Sequence, residues 1–337
     1  MPLQRIAPDD RRLSWYGMVS LEKTRAGVKP WRIFHADREF YHPVLMERTQ
    51  KASGVRIAFK SDTTSVAATI APWNEPTNVD ICCDGELIRT IELKENQTAW
   101  SATGLPTKNK LIEIWFPPKG HTILKSLAID RGAKLSGYID RRPRWATYGS
   151  SVTQCSISQS PVYTWPAVVA RTHGLNLINL GFSGECVLDA MIARVMRDIP
   201  LDFISMEIGP NIYGYNALNE RSFRAAVFAF VKIVREGHPF TPYVLMSPIH
   251  YPIGEKVKNA AGFTMQMMRA ELAAAAKTIR ACGDKNFHFV DGTTVLGPEH
   301  IDLMPDQCHP SPEGYKVMGE NFTRVVARKY FKLPRRR

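Results

Sequence analysis

The pattern of apolar residues changes near residue 145, and this change constrains the fold more than any other feature of the sequence. Before it, short alternating or apolar runs are separated by turn dipeptides such as Asp84-Gly85. Short strands with frequent turns are typical of an antiparallel β-sandwich or jelly roll. We therefore predict an all-β domain over residues 1–140. Its clearest predicted strands lie at residues 55–59, 66–70, 78–83 and 111–116.

Strands and helices alternate in the rest of the chain. The segment RRPR at residues 141–144 favours a linker, because proline and clustered charge interrupt any periodicity. Beyond it, five short apolar runs alternate with helical stretches, which predicts βαβ units and a parallel sheet covered by helices on both faces. We assign this second domain to residues 141–337. Its predicted strands lie at residues 145–148, 175–180, 203–208, 243–246 and 287–290, and its predicted helices at 165–171, 187–198, 221–235, 265–281 and 312–330.

The composition excludes several classes of protein. With 337 residues, 44% of them hydrophobic and 23% charged, the chain is neither disordered nor collagen-like, and it can build a core. No run approaches the roughly 18 apolar residues of a membrane span, and the charged start lacks the apolar core of a secretory signal. Six cysteines are too few for a disulfide framework. We therefore expect mostly reduced thiols in a cytoplasmic protein without a membrane partner.

The basic charge is concentrated at one end of the chain. The formal net charge is +12, but residues 324–337 hold seven basic residues and no acid, which leaves +5 for the rest. Cations at the end of a last helix are stabilised by the helix dipole. No zinc finger or basic-aromatic motif accompanies the tail. We therefore expect a solvated helix end and no nucleic-acid partner.

Polar residues and glycines follow the predicted strands of the second domain. Ser151 comes after the first strand, Gly184 after the second and Asn211 after the third, while Asp306 and His309 precede the last helix. Ligands of open α/β sheets bind at the carboxyl ends of the strands. The set contains a hydroxyl, a base, a carboxylate and hydrogen-bond donors, which are the groups that nucleophilic acyl transfer requires.

Four short blocks in this order resemble those of the SGNH (GDSL-type) hydrolases. They are GSS at residues 149–151, FSGE at 182–185, GPN at 209–211 and DQCHP at 306–310. The resemblance implies a flavodoxin-like three-layer sandwich with a five-stranded parallel sheet. The whole chain is similar to two-domain members in which a β-sandwich precedes the hydrolase domain, as in some carbohydrate esterases. Ser150 and Ile212 depart from the family, which usually has aspartate at both positions, neither of which supplies catalytic chemistry there.

The resemblance also implies a role for each residue. Ser151 would be the nucleophile, His309 the base and Asp306 the carboxylate that orients it. The N–H groups of Ser151 and Gly184 and the amide of Asn211 would hold the oxyanion. This chemistry needs no metal and no organic cofactor. Activity should fall as His309 becomes protonated, near pH 6.5 unless the site shifts its pKa.

Neighbouring residues leave alternatives open. The competing assignments are Ser150 or Cys155 for the nucleophile, Gly181 for Gly184 and Asp302 for Asp306. Cys155, Cys186 and Cys308 lie close to the blocks, and either buried thiols or a disulfide would fit. Glu185 and His250 are candidate substrate contacts. Four tryptophans of the first domain favour its core over a sugar-stacking surface: Trp31, Trp73, Trp100 and Trp115.

The sequence thus predicts a serine hydrolase that cleaves carboxylic esters through an acyl-enzyme. The expected substrate is a short-chain acyl ester, acetyl in particular, of a carbohydrate or another hydroxylated small molecule. The alternatives are a thioesterase, a lipase-like or lactone hydrolase, an acyltransferase, and a carbohydrate-binding protein with an inactive hydrolase domain. The natural substrate, the oligomeric state and any binding role of the first domain stay open.

Overall fold

The computed structural model describes residues 2–331, which divide into two units. The first unit holds the chain up to Arg142 together with Gln159–Val162. The second holds Pro143–Ser158 and the chain from Tyr163 onward. Of the seven basic residues in the C-terminal tail, those at 332 and 335–337 lie outside the described residues.

Two antiparallel sheets form the first unit, as the turn-rich pattern predicts. The elements described in this unit are β1 Leu3–Ile6, β2 Ser14–Tyr16, β3 Ser20–Thr24, β4 Gly27–Trp31, α1 Pro43–Thr49, β5 Arg56–Ser61, β6 Ser65–Ile70, β7 Thr77–Cys83, β8 Glu86–Leu93, β9 Ala99–Thr103, β10 Lys110–Trp115, β11 Leu124–Asp130 and β12 Leu135–Gly137. One sheet has the order β3-β4-β11-β6-β9, with β1 paired to β11. The other has the order β12-β5-β10-β7-β8, with β2 paired to β5.

The core of the first unit follows the two-residue period of its strands. In β6, Val66, Ala68 and Ile70 are buried, while the residues between them are partly exposed. The tryptophans at positions 31, 73, 100 and 115 are at most 4% exposed. They therefore lie in the interior, as expected, and present no ring to a sugar.

A buried ionic cluster closes the first unit at the predicted linker. Arg56, which is fully buried, contacts Glu113 at 3.1 Å and Asp140 at 3.0 Å. Arg142 binds the same two carboxylates at 2.8 and 2.7 Å. The Arg56 guanidinium also lies 4.8 Å from the ring centroid of Trp115. Because a buried charge is tolerated only when it is paired, this cluster ties the end of the first unit to its sheet.

Five parallel strands form the centre of the second unit. They are β13 Arg144–Gly149, β14 Asn176–Gly181, β15 Phe203–Glu207, β16 Tyr243–Met246 and β17 Phe287–Val290. Their order is β14-β13-β15-β16-β17. This is the flavodoxin-like order 2-1-3-4-5, in which ligands bind where the order reverses, between β13 and its neighbours. The predicted fold class is confirmed.

Helices cover both faces of this sheet. They are α2 Ser151–Gln154, α3 Trp165–His173, α4 Ala190–Asp198, α5 Pro210–Tyr215, α6 Glu220–Gly237, α7 Met265–Ala281, α8 Pro312–Phe322 and α9 Arg328–Tyr330. Trp145 of β13 packs against Trp165 and Phe322 on one face, and Tyr148 stacks on Phe230 on the other. In the described part of the chain, no helix has the length and apolar character that crossing a membrane requires.

Two helix boundaries differ from the predictions. The helix predicted from residue 187 begins at Ala190, because Leu188 takes a left-handed conformation and the side chain of Asp189 caps the first turn. The helix predicted over residues 312–330 changes at Thr323–Ala327 into a π-helical turn. Apolar periodicity locates both helices, but it does not reveal such local changes in hydrogen bonding.

Candidate active site

Ser151 lies at the turn between β13 and α2, at the carboxyl end of β13, which pairs with β14 and β15. It is the first residue of α2, so its main-chain N–H has no acceptor within the helix. Ser150 precedes it as the N-cap. The Ser150 hydroxyl accepts a hydrogen bond from the N–H of Val152 (3.3 Å) and donates one to Glu207 Oε2 (3.4 Å). The hydroxyl of Ser150 is thus bound to Glu207 and to the N–H of Val152, whereas the hydroxyl of Ser151 contacts a histidine.

The structure brings Ser151, His309 and Asp306 into hydrogen-bonding contact. Ser151 Oγ lies 2.8 Å from His309 Nε2, although the two residues are 158 positions apart. His309 Nδ1 donates to Asp306 Oδ2 at 2.6 Å. This pattern makes Nε2 the atom that can accept the proton of the serine.

Asp306 is held in place by main-chain groups. Its Oδ1 accepts hydrogen bonds from the N–H groups of Cys308 (2.9 Å) and His309 (2.6 Å). Burial acts to raise the pKa of Asp306, but the hydrogen bonds from the main chain and ring of His309 lower it below its ordinary value. Asp306 is therefore ionised at neutral pH. Asp302 lies instead on an exposed 3-10 turn.

Two neighbours control the protonation of His309. A hydrogen bond with the side chain of Cys308 raises the pKa of His309, and Asp306 adds to this effect against the opposing effect of burial. The resulting pKa is about 9. Cys308 Sγ lies 3.9 Å from Nε2, the atom that also contacts Ser151.

Gly184 and Asn211 line the same cavity as the serine. Gly184 has a φ of +80°, which glycine adopts without strain. Gly181, its rival, is a packing glycine, because a Cβ there would lie 2.3 Å from the main-chain nitrogen of Gln154. Asn211 Oδ1 accepts a hydrogen bond from the N–H of Cys186 at 3.1 Å. This contact orients the amide so that its NH₂ group remains as a donor for the cavity.

The cavity has a volume of about 290 Å³ and an apolar wall. Besides the residues above, its lining includes Pro210, Tyr215, Ile249, Tyr251 and Cys308. The Tyr215 hydroxyl lies 3.1 Å from the position that a Cβ on Gly184 would occupy. No Asp, Glu, Lys or Arg is among the lining residues in the described chain. His309 is therefore the group in this lining that can carry a positive charge.

Comparisons with known proteins agree with this geometry. Residues 143–327 match the model of the GDSL-like lipase/acylhydrolase family, which covers more than half of the chain. The chain belongs to this family. Residues 13–125 match a second model, described as the N-terminal domain of SsfX3. No curated protein matches the chain.

Solved structures similar to this GDSL-family chain include esterases and an acyltransferase. The salicylyl-acyltransferase SsfX3 from a tetracycline biosynthetic pathway is 32% identical over 97% of both chains, with a TM-score of 0.91. A family two carbohydrate esterase from Clostridium thermocellum is 13% identical, with a TM-score of 0.63 over 94% of this chain and 99% of that one. An acetyl xylan esterase from Butyrivibrio proteoclasticus is 12% identical, with a TM-score of 0.61 over 98% and 100%. The two esterases share the fold.

Four other candidate residues do not line the cavity of this GDSL-family site: Cys155, Cys186, Glu185 and His250. Cys155 and Cys186 are buried, and burial raises the pKa of both thiols well above the ordinary value. Neither supplies a thiolate at neutral pH. All six cysteines are free thiols in the structure. Glu185 and His250 do not line the cavity, and their predicted substrate contacts stay predictions.

His250 belongs to a cluster that holds one wall of the cavity. Its Nδ1 lies 3.3 Å from Glu255 Oε1. Arg269 binds both oxygens of Glu255, at 2.7 and 2.6 Å, and donates to the carbonyls of Pro248 (3.0 Å) and Ile249 (2.9 Å). The cluster therefore anchors the chain on either side of Tyr251, whose N–H also binds Glu255.

Sequence reasoning missed three residues around the site. Tyr215 follows Asn211 by four positions on α5, a spacing that places both on one side of the helix and could have identified it. Glu207 is the one charged residue in the predicted buried strand FISMEI at residues 203–208. A charge at such a position is unusual and could also have identified it. Tyr251 lies in an irregular segment after β16, where no periodicity points to it.

Proposed function

We propose that the protein is a serine hydrolase that cleaves carboxylic esters through an acyl-enzyme on Ser151. The observation that carries this proposal is the continuous hydrogen-bonded arrangement from Ser151 Oγ through His309 to Asp306. Membership of the GDSL-like lipase/acylhydrolase family supports the reaction class. A serine without an adjacent base is a weak nucleophile, and this arrangement supplies the base.

In the acylation step each residue of the site has one task. Ser151 Oγ attacks the ester carbonyl while its proton passes to His309 Nε2. Asp306 stabilises the imidazolium that forms. The N–H groups of Ser151 and Gly184 and the Asn211 amide donate to the oxyanion, and loss of one such donor typically costs about 2.7–4 kcal/mol of transition-state stabilisation.

Collapse of the tetrahedral intermediate completes the cycle. The bond to the alcohol breaks as His309 returns the proton to the leaving oxygen. Water then enters, His309 removes its proton, and hydrolysis releases the acid and Ser151. As substrate class we propose a short-chain acyl ester, acetyl in particular, of a carbohydrate or another hydroxylated small molecule. Among the described residues that line the cavity there is no Asp, Glu, Lys or Arg to pair with a charged substrate group, and this supports a neutral ester.

An acyltransferase is a second candidate, in which a hydroxylated acceptor replaces water in the deacylation step. It is favoured by the 32% identity to SsfX3, an acyltransferase, over nearly the whole of both chains. The apolar wall formed by Pro210, Ile249 and two tyrosines would limit the access of water to the acyl-enzyme. The two candidates share acylation and differ only in the acceptor.

Hydrolysis of p-nitrophenyl esters of increasing chain length tests the proposal. We expect Ser151→Ala to lower kcat/KM for the acetate by roughly 10³-fold or more, because the nucleophile is lost. Ser101→Ala, on an exposed position of β9, is the matched control and should match wild type. Equal activity of Ser151→Ala and wild type would overturn the assignment of the nucleophile. Faster p-nitrophenol release and ester products upon addition of alcohols or sugars would favour the acyltransferase.

A further inference from the structure

Glu207 carries a carboxyl group in the interior of the second unit. It is the last residue of β15, the central strand, which lies next to β13, and only 2% of its surface is exposed. Its Oε1 is buried and has no hydrogen-bond partner among the described residues. Burial of an unpaired carboxylate oxygen is costly, so a carboxyl group at this position calls for a physical reason.

The other oxygen of Glu207 is linked to the nucleophile turn. Val152 donates its N–H to Ser150 Oγ, and Ser150 donates its hydroxyl proton to Glu207 Oε2. Ser150 is 1% exposed and stands where the resembling hydrolases usually have aspartate. In this chain a carboxyl group from the neighbouring strand therefore contacts the residue directly before Ser151.

Glu207 is also linked to the oxyanion donors. The thiol of Cys186 donates to the main-chain carbonyl of Glu207 at 3.4 Å. The main-chain N–H of the same cysteine donates to Asn211 Oδ1. The end of β15 thus supports both the turn that carries the nucleophile and the amide assigned to the oxyanion.

The surroundings of Glu207 favour its neutral form. Burial raises the pKa of Glu207 to about 7, against the hydrogen bonds from the side chain and main chain of Ser150 and the charge of Arg269. Cys186 also lies close to Glu207, and burial raises the pKa of its thiol well above the ordinary value, so the thiol is protonated. Arg269 is engaged with both oxygens of Glu255. The carboxyl group is therefore poised to ionise within the working range of an esterase.

We propose that Glu207 is a positioning residue, whose neutral carboxyl group holds the Ser150–Ser151 turn in its reactive geometry and whose ionisation slows attack by Ser151. The ionised group would place a negative charge behind the site where the oxyanion develops, which opposes acylation. This inference rests on the proposed function of Ser151. It assigns a role to a residue outside the serine, histidine and aspartate set.

Labelling by a fluorophosphonate probe measures the reactivity of Ser151 without knowledge of the substrate. The Ser151 oxygen forms a bond to phosphorus, the bond from phosphorus to fluorine breaks, and the serine proton passes to His309. Labelling rates of wild type and Glu207→Gln are compared from pH 5.5 to 9. Because the histidine titration is common to both proteins, their ratio isolates the effect of Glu207. Glu236→Gln, an exposed residue of α6, is the control for loss of one carboxylate.

We expect the rate of Glu207→Gln divided by that of wild type to lie near one at pH 5.5. It should rise about threefold to tenfold by pH 9, because glutamine keeps the acceptor but cannot ionise. A purely structural role of Glu207 would shift this ratio equally at every pH, and that result would overturn the inference. The Glu236→Gln ratio should stay near one throughout.

A double-mutant cycle tests the link to Ser150. Ser150→Ala and Glu207→Leu should each lower the labelling rate about tenfold or more, and the double variant should be no slower than the slower single variant. Additive effects would overturn the link, and Glu207→Ala replaces Glu207→Leu in the cycle if the leucine variant does not fold. Equal labelling of wild type and Ser151→Ala would overturn the proposed function itself. If only Ser151 is labelled and the ratio of the Glu207→Gln rate to the wild-type rate does not change with pH, only the role of Glu207 is overturned.

Discussion

At the scale of single residues, His309 is the group whose protonation controls the candidate site. The proposed role as base requires its neutral form, whereas Cys308 and Asp306 together raise its pKa to about 9. The sequence predicts that activity falls near pH 6.5, whereas the structure places this fall near pH 9. The largest contribution to the difference between the two values comes from Cys308, whose sulfur lies 3.9 Å from Nε2 of His309. The fraction of neutral His309, and with it acylation, should therefore increase with pH above 6.5.

Replacement of Cys308 tests this assignment. In wild type, kcat/KM for an ester should rise with pH from about 6.5 and level off above about 9, because half of His309 is neutral at its pKa of about 9. In Cys308→Ala the contact that contributes most to the raised pKa of His309 is absent. The rise of kcat/KM with pH should therefore occur at lower pH than in wild type. Cys282→Ala, an exposed cysteine at the end of α7, should leave this rise in place. A wild-type rise at pH 6.5 that Cys308→Ala does not move would contradict the assignment.

At the scale of secondary-structure elements, the cavity is assembled from loops that follow parallel strands. The segment between β16 and α7 has little regular structure, yet it supplies Ile249 and Tyr251 to the wall. Its position depends on Arg269, which joins α7 to Glu255 and to two carbonyls of the segment. The first turns of α2 and α5 supply Ser151 and Asn211 on the opposite side.

Arg269→Met should therefore affect substrate binding more than chemistry. We expect KM for p-nitrophenyl esters to rise about tenfold while kcat stays within about threefold. The reason is that the wall loses its anchor, whereas Ser151, His309 and Asp306 keep their contacts. The matched control is Arg224→Met. This substitution removes an ion pair between Glu271 and the exposed side chain of Arg224 on α6. A loss confined to kcat would show that Arg269 acts on the triad instead.

At the scale of the whole molecule, the two units have different sources of stability. The second is a layered α/β unit with aromatic side chains on both faces of its sheet. The first adds a buried ionic cluster around Arg56 to the apolar core between its sheets. Burial acts to raise the pKa of Asp140, but Arg142 and Arg56 lower it. Its contribution to stability is therefore present above the ordinary carboxyl pKa of about 3.9 and is lost as the pH falls.

Arg56→Met should destabilise the first unit, because it leaves two buried carboxylates with a single cation. We expect the free energy of unfolding of this unit to fall by about 3–5 kcal/mol at pH 7. Hydrogen exchange of peptides from β5 and β10 in increasing urea measures this change. Arg12→Met removes an exposed pair with Asp10 and should leave the unfolding of this unit close to that of wild type. Equal effects of the two substitutions would contradict a stabilising role of the cluster.

The sequence by itself determined the order and type of the elements. The strands of the second unit begin and end within about a residue of their predicted positions, because a buried parallel strand is a short apolar run bounded by turn residues. The four blocks could be found for a related reason: each directly follows a strand or precedes a helix. Their chain order then identifies a shared edge of the sheet, and so the region of the candidate site.

Tertiary structure alone decided which of the neighbouring residues in each block contacts the rest of the site. Ser150 and Ser151 are equivalent in local sequence, and the contact with His309, 158 positions away, distinguishes them. Gly181 packs against the backbone of α2, whereas Gly184 lines the cavity. Tyr251 lies at the wall in a segment that Arg269 and Glu255 anchor. These outcomes depend on contacts between distant parts of the chain, which local periodicity and spacing do not encode.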